Sequence, residues 1–368
     1  MAGGTVSGVR IAGIASAVPN SWRTTADDAV TFGEAESAKI SQKTGVRRRC
    51  VAADGLLASD LCFAAAARLM QDLNWTRESI RTLIFVTQTP DYVLPATSCV
   101  LHHRLGLSQE CAAFDVNLGC SGYVYGLWVT SRLVMGGGRA LLLVGDTINR
   151  IVSPEDRSVA TLFGDAGSAT ALEADPGTST TMHFQLGTDG SGHKHLMVPA
   201  GGLRRPHSEE NSRRTPREGG NSRSDEDLFM NGAEVFSFSM NKVPGLITSV
   251  LDEAEWALET VDAFVLHQPS RFMLEHLARR AKLPRSRFVI ALEDYGNTSS
   301  ASIPLAMTTS LADRLANSEL RLVLTGFGVG FSWASVALNC GPLLMPPVIV
   351  VDGVDGDLAS DSTLKVQV

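Results

Sequence analysis

Short apolar runs that alternate with helical patterns constrain this chain more than any other feature. The clearest runs, bounded by Gly or polar residues, cover 82–87, 112–116, 140–144, 263–266, 288–292 and 320–325. Each has the length and bounding residues of a buried strand. Between them, amphipathic spacing predicts helices over 59–73, 96–105, 122–134, 233–257, 272–281 and 299–315. Strands interleaved with helices give an α/β protein on largely parallel sheets. A chain of 368 residues has room for two domains or one duplicated one. Its halves do echo each other. The run from Arg81 to Pro90 resembles that from Val261 to Ser270, and Arg139 to Asp146 matches Leu320 to Gly326. An ancient duplication explains both pairs, with chance likeness of strand patterns as the alternative.

Composition excludes several function classes. Net charge is −7 with both signs mixed along the chain, and no basic stripe is interleaved with aromatics, so nucleic-acid binding has no support. Six cysteines are scattered without a CxxC or a Cys/His cluster, so neither a metal nor a redox cofactor is implied. Residues 9–18 are too short and too rich in Gly and Ala for a secretory signal, and no apolar run approaches the roughly 20 residues of a membrane span. A reduced, cytoplasmic protein is the expectation. Residues 203–227 are rich in Arg, Ser, Glu, Asn and Gly and lack apolar periodicity, which predicts a mobile loop, either surface decoration or a lid. After Cys340, residues 341–347 read as a connection, 348–351 as one edge strand, and the rest as a loose tail.

Three segments carry residues suited to thioester chemistry: Leu118-Gly119-Cys120-Ser121-Gly122, Leu266-His267-Gln268-Pro269 and Gly296-Asn297-Thr298-Ser299-Ser300. Each lies where a strand would end, the edge at which open α/β sheets bind ligands. Cys120 precedes a helix, whose N-terminal N–H groups and dipole lower a thiol pKa and favour the thiolate. Its flanking glycines permit a tight turn with a backbone N–H aimed at a bound carbonyl. The competing reading is a buried structural cysteine. His267 at a strand end is more often a satisfied core histidine, although Gln268-Pro269 forces an abrupt exit from the strand. Asn297 beside Gly296 is by itself a turn residue, with the following Thr-Ser-Ser able to cap a helix.

Taken with Thr44-Gly45-Val46-Arg47, Asp156-Arg157, Phe163-Gly164-Asp165-Ala166-Gly167 and Phe327-Gly328-Val329-Gly330-Phe331, these motifs resemble the β-ketoacyl-acyl-carrier-protein synthase III family. The likeness spans residues 9–337. It implies a thiolase-like αβαβα fold from two duplicated halves, with one half at 1–175, the other at 176–340 and an extension at 341–368. It also implies a homodimer. Carried over by motif, Cys120 takes an acyl group from acyl-CoA or acyl-ACP. His267 and Asn297 then hold the thioester oxygen of malonyl-ACP, and the backbone N–H groups of Cys120 and Val329 form the oxyanion hole. No cofactor is implied beyond the CoA and ACP-phosphopantetheine substrates.

Departures from the family bear on the substrate. Lys39 stands where the family commonly has a Trp under the adenine, while Lys43 and Arg157 keep basic positions of the CoA site. A family Arg aligns with Phe272, and the adjacent Arg271 is its substitute. Leu94 replaces a frequent Phe that reaches the partner's acyl pocket, and Phe327 is a further substrate contact. These changes favour a specialised lipid or secondary-metabolite pathway and a longer or branched primer. The alternatives are an acyltransferase that moves the acyl group to an alcohol or amine, and a non-catalytic subunit of a condensing complex.

Overall fold

The computed structural model describes residues 2–177, 180–355 and 363–367. We label twelve strands: β1 (Ala2–Ser7), β2 (Val9–Pro19), β3 (Ile80–Val86), β4 (Ala112–Val116), β5 (Arg139–Asp146), β6 (Ala166–Ala174), β7 (Thr181–Thr188), β8 (Ala263–Leu266), β9 (Leu320–Gly328), β10 (Ser332–Cys340), β11 (Ile349–Asp355) and β12 (Thr363–Gln367). They form a seven-stranded sheet in the order β12-β11-β2-β6-β5-β3-β4 and a five-stranded sheet in the order β1-β7-β10-β9-β8. The main helices are α1 (Glu34–Thr44), α2 (Ala58–Asp72), α3 (Thr97–Arg104), α4 (Gly122–Val134), α5 (Gly232–Glu253), α6 (Arg271–Arg280) and α7 (Ser302–Ser310).

Alternation along the strands dictates the layering. In β3, Ile84 and Val86 join one buried cluster with Tyr123, Val124 and Leu127 of α4 and Ile303 and Met307 of α7. Leu83 and Phe85 point the other way, into a cluster with Leu61, Ala65 and Leu69 of α2 and Leu101 of α3. Likewise Leu322 and Leu324 of β9 face the α4/α7 layer, whereas Val323 packs with Val243, Ile247 and Val250 of α5 and Leu274 and Leu277 of α6. Both faces of both sheets are therefore covered, and the layers run helix, sheet, helix, sheet, helix. Leu324 is fully buried between the inner helices and the sheet. Leu324→Ala is expected to cost about 2–5 kcal/mol. A urea midpoint unchanged from wild type would contradict this packing.

The two sheets repeat one topology. β5 pairs with β3 in parallel and β6 in antiparallel fashion, as β9 pairs with β8 and β10. β2 completes the first set beside β6, and β7 completes the second beside β10. Residues 288–292, read above as a strand, make only an isolated bridge from Phe288 to Phe264. The reason is local: the Ala291 N–H, which would extend a ladder, donates instead to Gln268 Oε1 at 2.9 Å.

Other differences are equally physical. The helix expected over 299–315 is a 3-10 turn (Ser299–Ala301) followed by α7 and a short helix, Ala312–Asn317. At the C-terminus, β11 lies parallel to β2, and β12 covers its other side, so the expected edge strand is interior and part of the expected tail is paired. Residues 356–362 of that tail lie outside the described residues. In 203–227, expected to be mobile, the structure has a short helix, Glu209–Ser212, and a ribbon of Thr215–Pro216 with Ser222–Arg223. Ion pairs hold it: Arg205 and Arg217 reach Asp225 at 2.7 and 2.8 Å, and Arg223 reaches the buried Asp156 at 3.1 Å. Charge content without periodicity said nothing about this pairing. Among the described residues no helix is long and apolar enough to cross a membrane.

Candidate active site

The strand exits converge on one cavity of about 550 Å³, lined by Cys120, His267, Asn297, Phe327 and Gly328 among others. Cys120 follows β4 and precedes α4, the helix buried between the sheets, which buries the thiol too. The backbone N–H groups of Val329 and of Cys120 itself, with the Ser299 hydroxyl, act to lower the thiol pKa. Burial nevertheless pushes the thiol up to about 12, helped by the Asp146 charge. Position at a helix N-terminus alone predicted the opposite direction. Desolvation decides the matter, because a dry site penalises the charged form.

Close approach of the opposing loop depends on two glycines. A Cβ on Gly326 would stand 2.8 Å from Ser121 Cα, and one on Gly328 would stand 2.6 Å from Cys120 Cβ and 2.9 Å from Sγ. The Ser121 and Ser332 hydroxyls, 2.7 Å apart, and Ser332 Oγ donating to the Val329 carbonyl at 2.7 Å tie this loop to the cysteine turn.

His267 leaves β8 with its backbone N–H donated to Thr325 of β9 at 2.8 Å, and its ring is buried. Nδ1 lies 2.7 Å from Ser302 Oγ at the start of α7. Burial lowers its pKa to about 3, against a hydrogen bond with the Ser299 main chain, so the imidazole is neutral. Gln268 locks the strand exit by donating Nε2 to the Leu266 carbonyl at 2.6 Å. Asn297 is buried, and its Oδ1 accepts the Ser299 N–H at 3.0 Å, which leaves the Nδ2 donors for another acceptor. Its main chain is fixed on both sides, with its N–H donated to Leu162 and its carbonyl accepting from Gly164 at 3.0 Å.

Lys43, Arg157 and Phe327, named above as substrate contacts, line the cavity. Arg157 is 3.4 Å from Glu36, and its N–H donates to Asn221 Oδ1 at 3.2 Å, so the 203–227 segment abuts this edge. Two expected contacts are not part of the cavity lining. Arg271 turns toward Glu293 at 3.2 Å, and Phe272 takes the wall position, with Lys43 Nζ 5.3 Å from its ring. Leu94 is 84% exposed on the far side of the loop after β3 and does not reach the cavity of its own chain.

Sequence reasoning missed the serines. Thr298-Ser299-Ser300 was read as a helix cap, yet the N-cap residue of α7 is Ala301, and no side chain caps the helix. The hydroxyls turn to the site instead: Ser300 to Asp146 at 2.9 Å and Ser302 to His267 at 2.7 Å. A run of hydroxyls beside a candidate Asn was the available signal, and only its partners were missing. Among the described residues no group of three His, Cys, Asp or Glu is placed to hold a metal.

Family models for 3-oxoacyl-[acyl-carrier-protein] synthase III match residues 114–190, and for its C-terminal part residues 251–340. A curated Streptomyces coelicolor relative, beta-ketoacyl-[acyl-carrier-protein] synthase III 3, is 35% identical over 89% of this chain and 96% of its own. The chain belongs to the β-ketoacyl-ACP synthase III family. A solved 3-oxoacyl-(acyl-carrier protein) synthase from Burkholderia xenovorans superposes with a TM-score of 0.88 at 43% identity, over 95% of this chain and 99% of that one. The priming β-ketosynthase of the R1128 polyketide biosynthetic pathway gives a TM-score of 0.79 at 25% identity, over 93% and 98%. The synthase III fold, with its thiolase-like layers, is thus the fold described above.

Proposed function

We propose that the protein catalyses a decarboxylative Claisen condensation of an acyl thioester with malonyl-ACP. The observation that carries this reading is the convergence of a buried thiol, a neutral histidine and an oriented asparagine amide on one cavity. Cys120 attacks the acyl carbonyl, and the N–H groups of Cys120 and Val329, which also act to lower the thiol pKa, receive the oxyanion. Donor thiolate leaves, and an acyl-Cys120 thioester remains.

Malonyl thioester then enters with its carbonyl oxygen between His267 and Asn297. In this reading the Ser302 hydroxyl, 2.7 Å from Nδ1, donates to it, which puts the imidazole proton on Nε2, where it can be given to that oxygen. Two neutral donors stabilise the enolate left when CO2 departs, and neither has to change protonation state to do so. Carbon–carbon bond formation with the acyl carbonyl expels Cys120.

Lys43 and Arg157 at the cavity suit the phosphates of CoA or phosphopantetheine. The protein acts as a homodimer in this reading, in the cytoplasm and without a resident cofactor. Support for the dimer comes from β4, an edge strand with Phe114 partly exposed, and from Val93 and Leu94, 89% and 84% exposed on the adjoining loop. Leu94 would then serve the partner's acyl pocket. We take 1–175 and 176–340 as the duplicated halves, with β1 crossing into the second sheet and β11 and β12 of the 341–368 extension into the first.

Intact-protein mass spectrometry with a panel of acyl-CoAs and acyl-ACPs, chased with malonyl-ACP, tests the reading. An adduct that disappears into a β-ketoacyl product is the expected result and names the primer. An adduct that persists through the chase would instead indicate transfer to an alcohol or amine.

A further inference from the structure

Hydrogen bonds stitch the end of the 203–227 segment to the loop that carries Arg157. The Ser153 hydroxyl donates to the Ser222 carbonyl at 2.7 Å, and the Ser222 N–H donates to the Glu155 carbonyl at 3.2 Å. Arg223 reaches the buried Asp156 at 3.1 Å, and the Arg157 N–H donates to Asn221 Oδ1 at 3.2 Å. Asn221 is itself fixed. Its carbonyl accepts from the Arg217 N–H at 2.8 Å, and its Nδ2 donates to the Glu218 carbonyl at 3.2 Å. Within this turn Gly219 and Gly220 take φ of +73° and +77°, which glycine adopts without steric cost. The turn also reaches the guanidinium, since a Cβ on Gly219 would stand 3.3 Å from Arg157 Nη2. On the other nitrogen, Nη1 lies 3.4 Å from Glu36 of α1. Arg157 is thus held by its main chain and at both ends of its fork. It still lines the cavity with 40% of its side chain exposed, within reach of a ligand.

We infer that the turn at 217–221 is a positioning element of the substrate site, which holds Arg157 ready for a phosphate ester of the thioester carrier. This inference rests on the proposed thioester reaction, whose CoA and carrier-protein donors both bear phosphate. A free arginine loses side-chain entropy when it grips an anion, and one already held loses less, so affinity rises. Guanidinium and phosphate oxygens then form charge-assisted hydrogen bonds whose geometry depends on where the fork points. Asn221 and Gly219 touch no substrate and act through Arg157. Glu36 works in the opposite direction. Its carboxylate must give up the guanidinium to an incoming phosphate, and a partly exposed pair opposes that exchange only modestly. The 203–227 segment is on this account neither decoration nor lid, but the support of one substrate contact.

Calorimetry on the full chain with coenzyme A and with 4′-phosphopantetheine tests this. Asn221→Ala and Gly219→Ala are each expected to raise the Kd for coenzyme A at least about fivefold. Glu36→Gln should lower it, by about two- to fivefold. An equal change with phosphopantetheine places the bound phosphate on pantetheine, the part shared with the carrier protein. A change confined to coenzyme A places it at the nucleotide end. A turn that merely supported the fold would disturb the whole site. The readout for that is acylation of Cys120 by an acyl N-acetylcysteamine thioester, which carries no phosphate. Its rate should stay within about twofold of wild type in all three variants. An acylation loss as large as the loss of coenzyme A affinity overturns the inference. So do unchanged Kd values in both turn variants, a Glu36→Gln variant that binds more weakly, or a wild type that binds neither ligand. Should Asn221→Ala not fold, Gly219→Ala and Glu36→Gln decide alone. Binding of coenzyme A needs no condensation, so failure here is separable from failure of the condensing reading, which the malonyl-ACP chase tests.

Discussion

Cys120→Ala is expected to abolish the acyl adduct and to lower condensation by roughly 10⁴-fold or more, the scale seen when a covalent nucleophile is removed. No other cysteine can stand in. Cys50, Cys62, Cys111 and Cys340 are buried away from the cavity lining, and Cys99, though exposed, lies on α3 outside it. The fold should be nearly unaffected, because the change removes one sulfur atom from an already glycine-lined turn. Adduct formation by intact mass and single-turnover condensation are the two measurements. An adduct of wild-type yield on the variant would move the nucleophile elsewhere and remove the basis of the mechanism.

Gly328→Ala is expected to be the next most damaging change, without touching a reacting group. Its Cβ would overlap Cys120 Cβ at 2.6 Å and Sγ at 2.9 Å, both below any normal contact. Retreat of the loop is blocked, since Ser332 holds Val329 and bonds Ser121 across the gap. The Val329 N–H must therefore shift relative to the sulfur. A displacement near 1 Å costs about 10²-fold in rate, and the overpacking about 1–3 kcal/mol in stability. Acylation rate and urea midpoint report the two effects separately. Acylation within twofold of wild type would show that the Val329 N–H does not serve the reaction. In neither variant should His267 add an acid limb to the pH profile above pH 5, because burial holds its pKa near 3.

How much of this was legible before the structure differs by element. The buried strands β3, β5, β8 and β9 were read from apolar runs, since a strand covered on both faces has little choice of composition, and the edge strand β4 was read from its apolar run too. β2 and β6 were missed, being rich in Ala, Gly and Ser (Ala166–Ala174 reads AGSATALEA). Small residues carry a weak periodic signal, although they are what lets helices pack closely on the sheet. Residues 288–292 were read as a strand for the converse reason: the run is apolar enough, but the Gln268 side chain takes the hydrogen bond that a ladder needs.

The site divides along the same line. Local sequence determined which residue types stand at the three strand exits, because a Gly-flanked Cys before a helix, a His before Gln-Pro and an Asn after Gly each carry their own backbone requirements. It also determined the alternation that covers both sheets. Only the tertiary structure decided how these groups are electrically tuned. Desolvation depends on every atom around a group, so the thiol that a helix N-terminus alone would acidify is raised by burial instead. The same holds for hydroxyls, whose bonding partners come from distant segments. Ser300 meets Asp146, and Ser302 meets His267, through contacts that exist only once the two sheets close on α4 and α7.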